Sequence, residues 1–224
     1  MAGMVCTAVF DLPPVDRREI LRYAAVKESS GALDRLLEEA LAEAAPLLTA
    51  AVCWMEFPVV QTREGLDLGF TRTASASLAR NLAGCDRAVV FGATLGLALD
   101  RRIVRYGHTA PSKALMLQAI GTERIEALCD RFCEHIRQEA ADGGLYPRPR
   151  FSPGYGDLPL DIQTDIFRVL DCPRKIGLTL NESLLMSPSK SVTAIVGLGP
   201  CGPGLHTRSC RQCGKTDCIY RSTP

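Results

Sequence analysis

The sequence lacks an excess of charge of either sign. Its 224 residues include 26 lysines and arginines and 25 aspartates and glutamates, which leaves a formal net charge of +1. Proteins that bind nucleic acid through phosphate attraction usually carry a strong positive excess. The charge balance therefore predicts no nucleic-acid partner.

Long apolar segments are also missing. No stretch reaches the roughly 18 apolar residues that a bilayer-spanning helix needs. The N-terminal apolar run has no basic region before it and ends at Asp11, unlike a secretory signal. We therefore predict no membrane partner and a cytoplasmic location, where cysteines are more often thiols or metal ligands than disulfides.

Cysteine, by contrast, is abundant and unevenly distributed. Four of the ten cysteines have the spacing C-x8-C-x2-C-x4-C near the C-terminus, namely Cys201, Cys210, Cys213 and Cys218. A C-x2-C pair directs two thiolates at one metal, and two more thiolates complete a tetrahedral zinc site or hold an iron–sulfur cluster. We predict a metal here and leave both metals open, with a tail that binds nothing as the alternative.

The remaining cysteines lie in or beside apolar segments, where cysteine behaves as a small hydrophobic residue. We predict that they pack in the core: Cys6, Cys53, Cys85, Cys129, Cys133 and Cys172.

Hydrophobic periodicity predicts helices and strands that do not alternate as βαβ units. The longest helix is predicted over 111–141, between Pro111 and a Gly-Gly pair, and a short helix over 161–170 is expected to end at Pro173. Strands are predicted over 88–91 and 192–198. This pattern indicates an α+β fold with an antiparallel or mixed sheet.

Glycine and proline interrupt all periodicity from Gly199 onward. We therefore predict one domain over 1–198 and a short Cys-rich tail over 199–224.

One loop combines rigidity with ligand-binding side chains. The segment Arg148–Pro159 contains several prolines and glycines, which restrict an extended, turning backbone. Arg150 offers a planar fork of donors that fits a carboxylate, and Tyr155 offers a ring face and a hydroxyl. Together they suit a ligand with a carboxylate and a cationic or aromatic part, although a surface connector with a structural tyrosine has the same composition.

The run Arg150-Phe-Ser-Pro-Gly-Tyr155 resembles the R-x-x-P-G-Y loop of the activation domain of cobalamin-dependent methionine synthase. Downstream, the segment from Ile176 to Val192 is similar to that domain's G-x-x-L-T-E-S-x-x-M-x-P-x-x-S-V block. The resemblance is best over 85–198.

The resemblance implies a twisted antiparallel sheet and a binding site for S-adenosylmethionine. Carried over by residue, Arg150 contacts the carboxylate of the methionine part, Ser152 contributes its backbone, and Tyr155 lies against the ligand. The family also uses an acidic residue from its N-terminal part, which the sequence leaves open among Glu56, Asp67 and Asp11.

Two motifs are missing from the sequence. It has no D-x-H-x-x-G run to donate a histidine to cobalt, and no G-x-G-x-G turn of the common methyltransferases. The cobalamin is therefore expected only on a partner protein.

The resemblance then implies a stand-alone activation subunit of methionine synthase, a methyltransferase-associated enzyme component without catalytic residues of its own. It would use S-adenosylmethionine to remethylate the oxidised corrinoid of a methionine synthase protein, with a possible electron-donor protein as second partner. The alternatives are an iron–sulfur redox protein that does not use S-adenosylmethionine, and a zinc-stabilised interaction module.

Overall fold

A computed structural model describes residues 4–26 and 30–200. The metal ligands predicted at Cys201, Cys210, Cys213 and Cys218 lie outside these residues, as does the 199–224 segment after Pro200. No helix in the described ranges is long and apolar enough to cross a membrane.

The described residues form an α+β fold, which confirms the predicted class. The helices are α1 (Arg17–Tyr23), α2 (Gly31–Ala44), α3 (Ala76–Asn81), α4 (Leu97–Thr109), α5 (Pro111–Ala141), α6 (Ile162–Leu170) and α7 (Cys172–Ile176), with a 3-10 turn at Ala45–Leu47. The strands are β1 (Cys6–Val9), β2 (Ala51–Pro58), β3 (Val60–Thr62), β4 (Gly65–Asp67), β5 (Arg72–Thr73), β6 (Arg87–Thr94), β7 (Leu145–Pro147), β8 (Thr179–Leu180), β9 (Met186–Ser187) and β10 (Ser191–Pro200).

The main sheet has five strands in the order β1-β2-β6-β10-β7, and every neighbouring pair is antiparallel. The central strand β6 is apolar and buried on both faces because helices cover the sheet on each side. Val89, Phe91 and Ala93 face α5. Ala88 and Val90 point the other way, into a second core completed by α3, α6 and α7.

Helix α5 connects the sheet to a helical layer. Its middle packs on the sheet through residues such as Leu128 and Phe132. Its first half packs with α1, α2 and α4 through a separate cluster that includes Ile20, Leu37 and Leu117. The helix begins at Pro111 and ends at Ala141, as its periodicity and flanking residues predict.

A buried ion pair fixes the N-terminal segment to α5. The side chains of Glu123 and Arg124 are about 95% buried and contact each other. Arg124 donates to the carbonyls of Pro13 (2.6 Å) and Pro14 (3.2 Å), and Glu123 accepts the backbone N–H of Asp16 at 3.1 Å. The pair therefore satisfies backbone groups that lead into α1.

Three sequence expectations need correction. Pro173 does not end a helix: α6 ends at Leu170, and Pro173 stands in the first turn of α7, where its missing N–H costs nothing. Cys6 is exposed rather than packed in the core, because β1 is an edge strand. The last strand continues beyond residue 198 to Pro200, because Gly199 and Pro200 pair with β7.

Candidate functional site

The site begins at an irregularity between β7 and β10. Pro147 pairs with Leu198, and Phe151 pairs with Ile195 through two hydrogen bonds of 2.9 Å. The chain from 147 to 151 thus advances four residues while β10 covers three, which is a β-bulge.

The bulge sends two arginines to opposite faces of the sheet. In a regular strand, Arg148 and Arg150 would share a face. Instead Arg148 lies beside Cys85, which belongs to the core under α3. Arg150 reaches α5 on the other face, where its Nη2 donates to Asp130 at 2.8 Å and to Glu126 at 3.1 Å.

A cavity of about 580 Å³ opens between α5, this bulged loop and the start of β10. Its volume is typical of small-molecule sites. The predicted residues Arg150, Ser152 and Tyr155 all line it, together with side chains of α5 and β10. The lining residues that carry charge or a thiol are Glu126, Asp130, Cys133, Arg137, Arg148 and Arg150, of which Arg148 turns its side chain to the opposite face of the sheet.

The loop 152–158 is held in place by Asp157. Its carboxylate accepts the hydroxyl of Ser75 at 2.6 Å and the backbone N–H groups of Ala76 (2.8 Å) and Ser77 (3.0 Å). These are the first residues of α3, so the carboxylate caps that helix from another part of the chain. The hydrogen bond from Ser75 and those from the α3 backbone hold the pKa of Asp157 far below its usual range.

Two glycines make the tight path of this loop possible. Gly154 and Gly156 have φ values of 88° and 56°, in the region that favours glycine. A Cβ on Gly156 would also lie 3.0 Å from the hydroxyl of Ser77. The loop therefore packs directly against α3. This close contact and the hydrogen bonds of Asp157 together fix its shape.

Backbone groups as well as side chains face the cavity. The Ser152 carbonyl accepts the Tyr155 N–H at 3.1 Å, and the described residues contain no acceptor for the Ser152 N–H. The N–H and carbonyl of Ile195 are hydrogen-bonded to Phe151. Thr193 lies two residues earlier in β10, so its N–H and carbonyl point toward the same edge of the strand. Among the described strands, none pairs with β10 there. Both positions offer backbone hydrogen bonds to a ligand.

The side chain of Tyr155 stands at the mouth of the cavity. The residue is 68% exposed, while its backbone N–H and carbonyl are bonded within the loop. The ring therefore contributes little to the core and is accessible to a ligand or to a docked molecule.

Charge in the cavity is concentrated around Arg150. Burial acts to lower the pKa of this guanidinium, but the negative charges of Glu126 and Asp130 raise it, so Arg150 is always a cation. The two thiols beside it remain neutral, because burial raises the pKa of Cys129 to about 12 and that of Cys133 to about 11. The cavity wall thus holds a fixed cation next to two carboxylates.

The acidic residues that line the cavity, Glu126 and Asp130, are not among the candidates that the sequence offered. Glu126 and Asp130 are four residues apart and share one face of α5, beside its apolar stripe. This spacing of two acidic residues on one helical face is the sequence signal that could have identified them as a pair. The N-terminal candidates lie elsewhere: Glu56 pairs with Arg87 and Asp67 with Arg72.

Asp11, the third N-terminal candidate, lines a different and more apolar cleft near α2. Within residues 4–26 and 30–200, no three His, Cys, Asp or Glu side chains converge as metal ligands would.

Comparison with known proteins agrees with the resemblance of the loop. The family model for the vitamin B12 dependent methionine synthase activation domain matches residues 78–202, which is more than half of the chain and includes α5, the loop and β10. No curated protein sequence shows a significant match.

A solved structure has the same fold. The crystal structure of the MetH reactivation domain bound to AdoHcy is similar with a TM-score of 0.64 and 16% sequence identity. The alignment covers 89% of this chain and 79% of that chain. With a family model that spans the cavity and a matching fold, this chain belongs to the family of vitamin B12-dependent methionine synthase activation domains.

Proposed function

We propose that this chain binds S-adenosylmethionine in the cavity beside α5 and presents its methyl group to a corrinoid on a partner methionine synthase protein. The corrinoid takes up one electron and the methyl group, and S-adenosylhomocysteine is left. A possible second partner is a protein that donates the electron. The MetH domain of similar fold is bound to AdoHcy, the product of such a transfer.

The observation that carries this proposal is the pairing of opposite charges inside one cavity. Arg150 presents a guanidinium to a ligand carboxylate, and the Ser152 N–H adds a second donor to the same group. Glu126 and Asp130 lie within 3.1 Å of Arg150 and offer acceptors to an ammonium or sulfonium. S-adenosylmethionine carries all three of these charged groups.

Tyr155 is placed to act between ligand and partner. At the mouth of the cavity, its ring lies where a cation–π contact to the sulfonium is possible while the methyl group stays open to the outside. The chain needs no acid or base for this reaction, because the sulfonium is already a good methyl donor. Its task is to position the donor.

The proposal is tested by titrating S-adenosylmethionine into the protein in a calorimeter. We expect saturable binding, and S-adenosylhomocysteine should compete for the same site. Absence of binding at high micromolar concentration would refute the proposal and favour a redox protein or an interaction module.

A second assay follows the labelled methyl group. A cobalamin-loaded methionine synthase without its own activation domain should accept the label in the presence of a reductant and this chain. Label transfer that does not depend on this chain would contradict an activation role.

A further inference from the structure

Two buried thiols meet beneath the main sheet. Cys53 lies on β2 and Cys172 is the first residue of α7, and their Sγ atoms are 3.7 Å apart although 119 positions separate them in the chain. Neither residue is exposed to solvent. Both are free thiols in the core that α3, α6 and α7 complete, so the sheet and a helix each present one sulfur to the same point.

A glycine on the neighbouring strand leaves room for this contact. Gly92 of β6 pairs with Cys53 in the register of the sheet. A Cβ on Gly92 would lie 3.1 Å from the Sγ of Cys172 and 3.6 Å from the Sγ of Cys53. Glycine inside a strand often marks a close approach of another group, and here it lets the Cys172 thiol reach the sheet.

The two sulfurs are close to bonding distance. A disulfide joins its sulfurs at about 2.05 Å, so the Sγ atoms must approach each other by roughly 1.7 Å from their separation of 3.7 Å. Helix α7 has five residues and is bounded by left-handed backbone at Asp171 (φ 50°) and Gly177 (φ 68°). A helix this short, with a turn at each end, can move by that distance without disturbing the long elements.

The two thiols differ in their readiness to react. With Cys172 as the donor, the hydrogen bond between them lowers the pKa of the Cys53 thiol, and the same bond together with burial raises the pKa of Cys172. The ammonium of Lys175, in the last turn of α7, also favours the thiolate of Cys53. Cys53 therefore loses its proton first, and the thiolate is the form that attacks an oxidant.

We propose that Cys53 and Cys172 are a redox-active pair, which a hydroperoxide converts to a disulfide between β2 and α7. The Cys53 thiolate attacks a peroxide oxygen, the O–O bond breaks, and Cys53 becomes a sulfenic acid. The sulfur of Cys172 then attacks the sulfenic sulfur, the S–S bond forms, and water leaves. With hydrogen peroxide, the two thiols lose two electrons and two protons, and the peroxide becomes two water molecules. The oxidant must be small because neither sulfur is exposed.

The disulfide fixes the segment that forms one wall of the ligand cavity. After α7, the chain passes through Leu178, which lies beside Gly92, to Met186, which lines the cavity. Gln163 of α6 lines the same cavity and donates to the carbonyl of Leu184 at 3.2 Å. Oxidation therefore ties this wall to the sheet and suppresses its local opening. The ligand of the cavity rests on the proposed function, whereas the disulfide does not.

The test uses the full chain, reduced with a phosphine, freed of reductant and treated with stoichiometric hydrogen peroxide. Remaining thiols are alkylated in denaturant before digestion without reduction. We expect two peptides linked through Cys53 and Cys172 that separate on reduction, and slower amide hydrogen exchange over 172–187 in the oxidised protein. Recovery of both residues as alkylated thiols, of Cys53 as a sulfinic acid, or of either residue linked to a different cysteine would overturn the proposal. Unchanged exchange would refute the effect on the cavity wall.

Variants separate this pair from the other cysteines. Cys53→Ala and Cys172→Ala should each lack the linked peptides, while Cys129→Ala should retain them, because Cys129 is equally buried but lies on α5. A bond that closes a segment of 119 residues should raise Tm on oxidation by on the order of 10 °C in the wild type. An equal rise in Cys53→Ala would refute the assignment. The peptide map of the wild type stands on its own if a variant does not fold.

Failure of this inference is distinguishable from failure of the proposed function. Peptide mapping needs no ligand, and binding of S-adenosylmethionine by the fully reduced protein tests the cavity alone.

Discussion

Replacing Arg150 by methionine is the sharpest test of the cavity. The substitution keeps the aliphatic stem and removes the guanidinium that we propose binds the ligand carboxylate. A charge-assisted hydrogen bond contributes about 1.5–3 kcal/mol, so the dissociation constant for S-adenosylmethionine should rise about tenfold to a hundredfold. Stability should change much less.

The small effect on stability follows from solvent exposure. The side chains of Glu126 and Asp130 are 46% and 74% exposed, so water replaces Arg150 as their partner. Pairs of this kind contribute at most about 1 kcal/mol. In a chain of this size that corresponds to a fall in Tm of roughly 2–4 °C.

Calorimetric titration and thermal unfolding of the same samples give the dissociation constant and the Tm. Arg168→Met is the matched control, because Arg168 also pairs with a carboxylate, Asp165 at 2.7 Å, but lies outside the cavity lining. The control should keep wild-type affinity. An Arg150→Met variant that binds within twofold of wild type would refute the assignment, and a large fall in Tm would show that Arg150 is structural.

Three further predictions concern the loop and the frame around it. Tyr155→Ala should weaken binding of S-adenosylmethionine by roughly 1–2 kcal/mol and leave Tm nearly unchanged because the ring is exposed; a large loss of Tm in a thermal scan would contradict this. The pKa of Asp157 is lowered from its ordinary 3.8, first by the hydrogen bond from Ser75. The ionised carboxylate therefore stabilises the folded state fully above about pH 3.8, and this contribution to the free energy of unfolding is lost as the pH falls below it. Urea unfolding between about pH 5 and 2 should therefore show that the free energy of unfolding falls more steeply with decreasing pH in wild type than in Asp157→Asn. Parallel curves of unfolding free energy against pH would contradict the capping role. Arg124→Met should lower the free energy of unfolding in urea by about 3–5 kcal/mol, because Glu123 is left buried without its partner. Adding Glu123→Gln should recover part of that loss, and equal losses in the single and double variants would refute the pairing.

Local signals in the sequence were enough for the long elements and for the loop. The helix at 111–141 is bounded by Pro111 and Gly143, and its core stripe includes Leu128 and Phe132. The position of Arg150, Ser152 and Tyr155 around one cavity also follows from a short segment, since its prolines and glycines restrict the backbone locally.

Short-range patterns were less informative about turns between small elements. Pro173 reads as a stop in the sequence but lies in the first turn of α7. A proline is compatible with both positions, because it lacks the N–H that an interior helical residue needs and a first-turn residue does not. Only the packing of α7 against the sheet decides between them.

The sequence by itself determined the fold class, the family and the rigid loop, because these depend on periodicity and on residue types at fixed spacing along the chain. The tertiary structure decided which acidic groups face Arg150, since Glu126 and Asp130 reach it from another element. It also decided that Arg148 turns away from Arg150, because that direction depends on the register between β7 and β10 and the extra residue within it. Register and long-range contacts join residues far apart in the chain, and no local pattern encodes them.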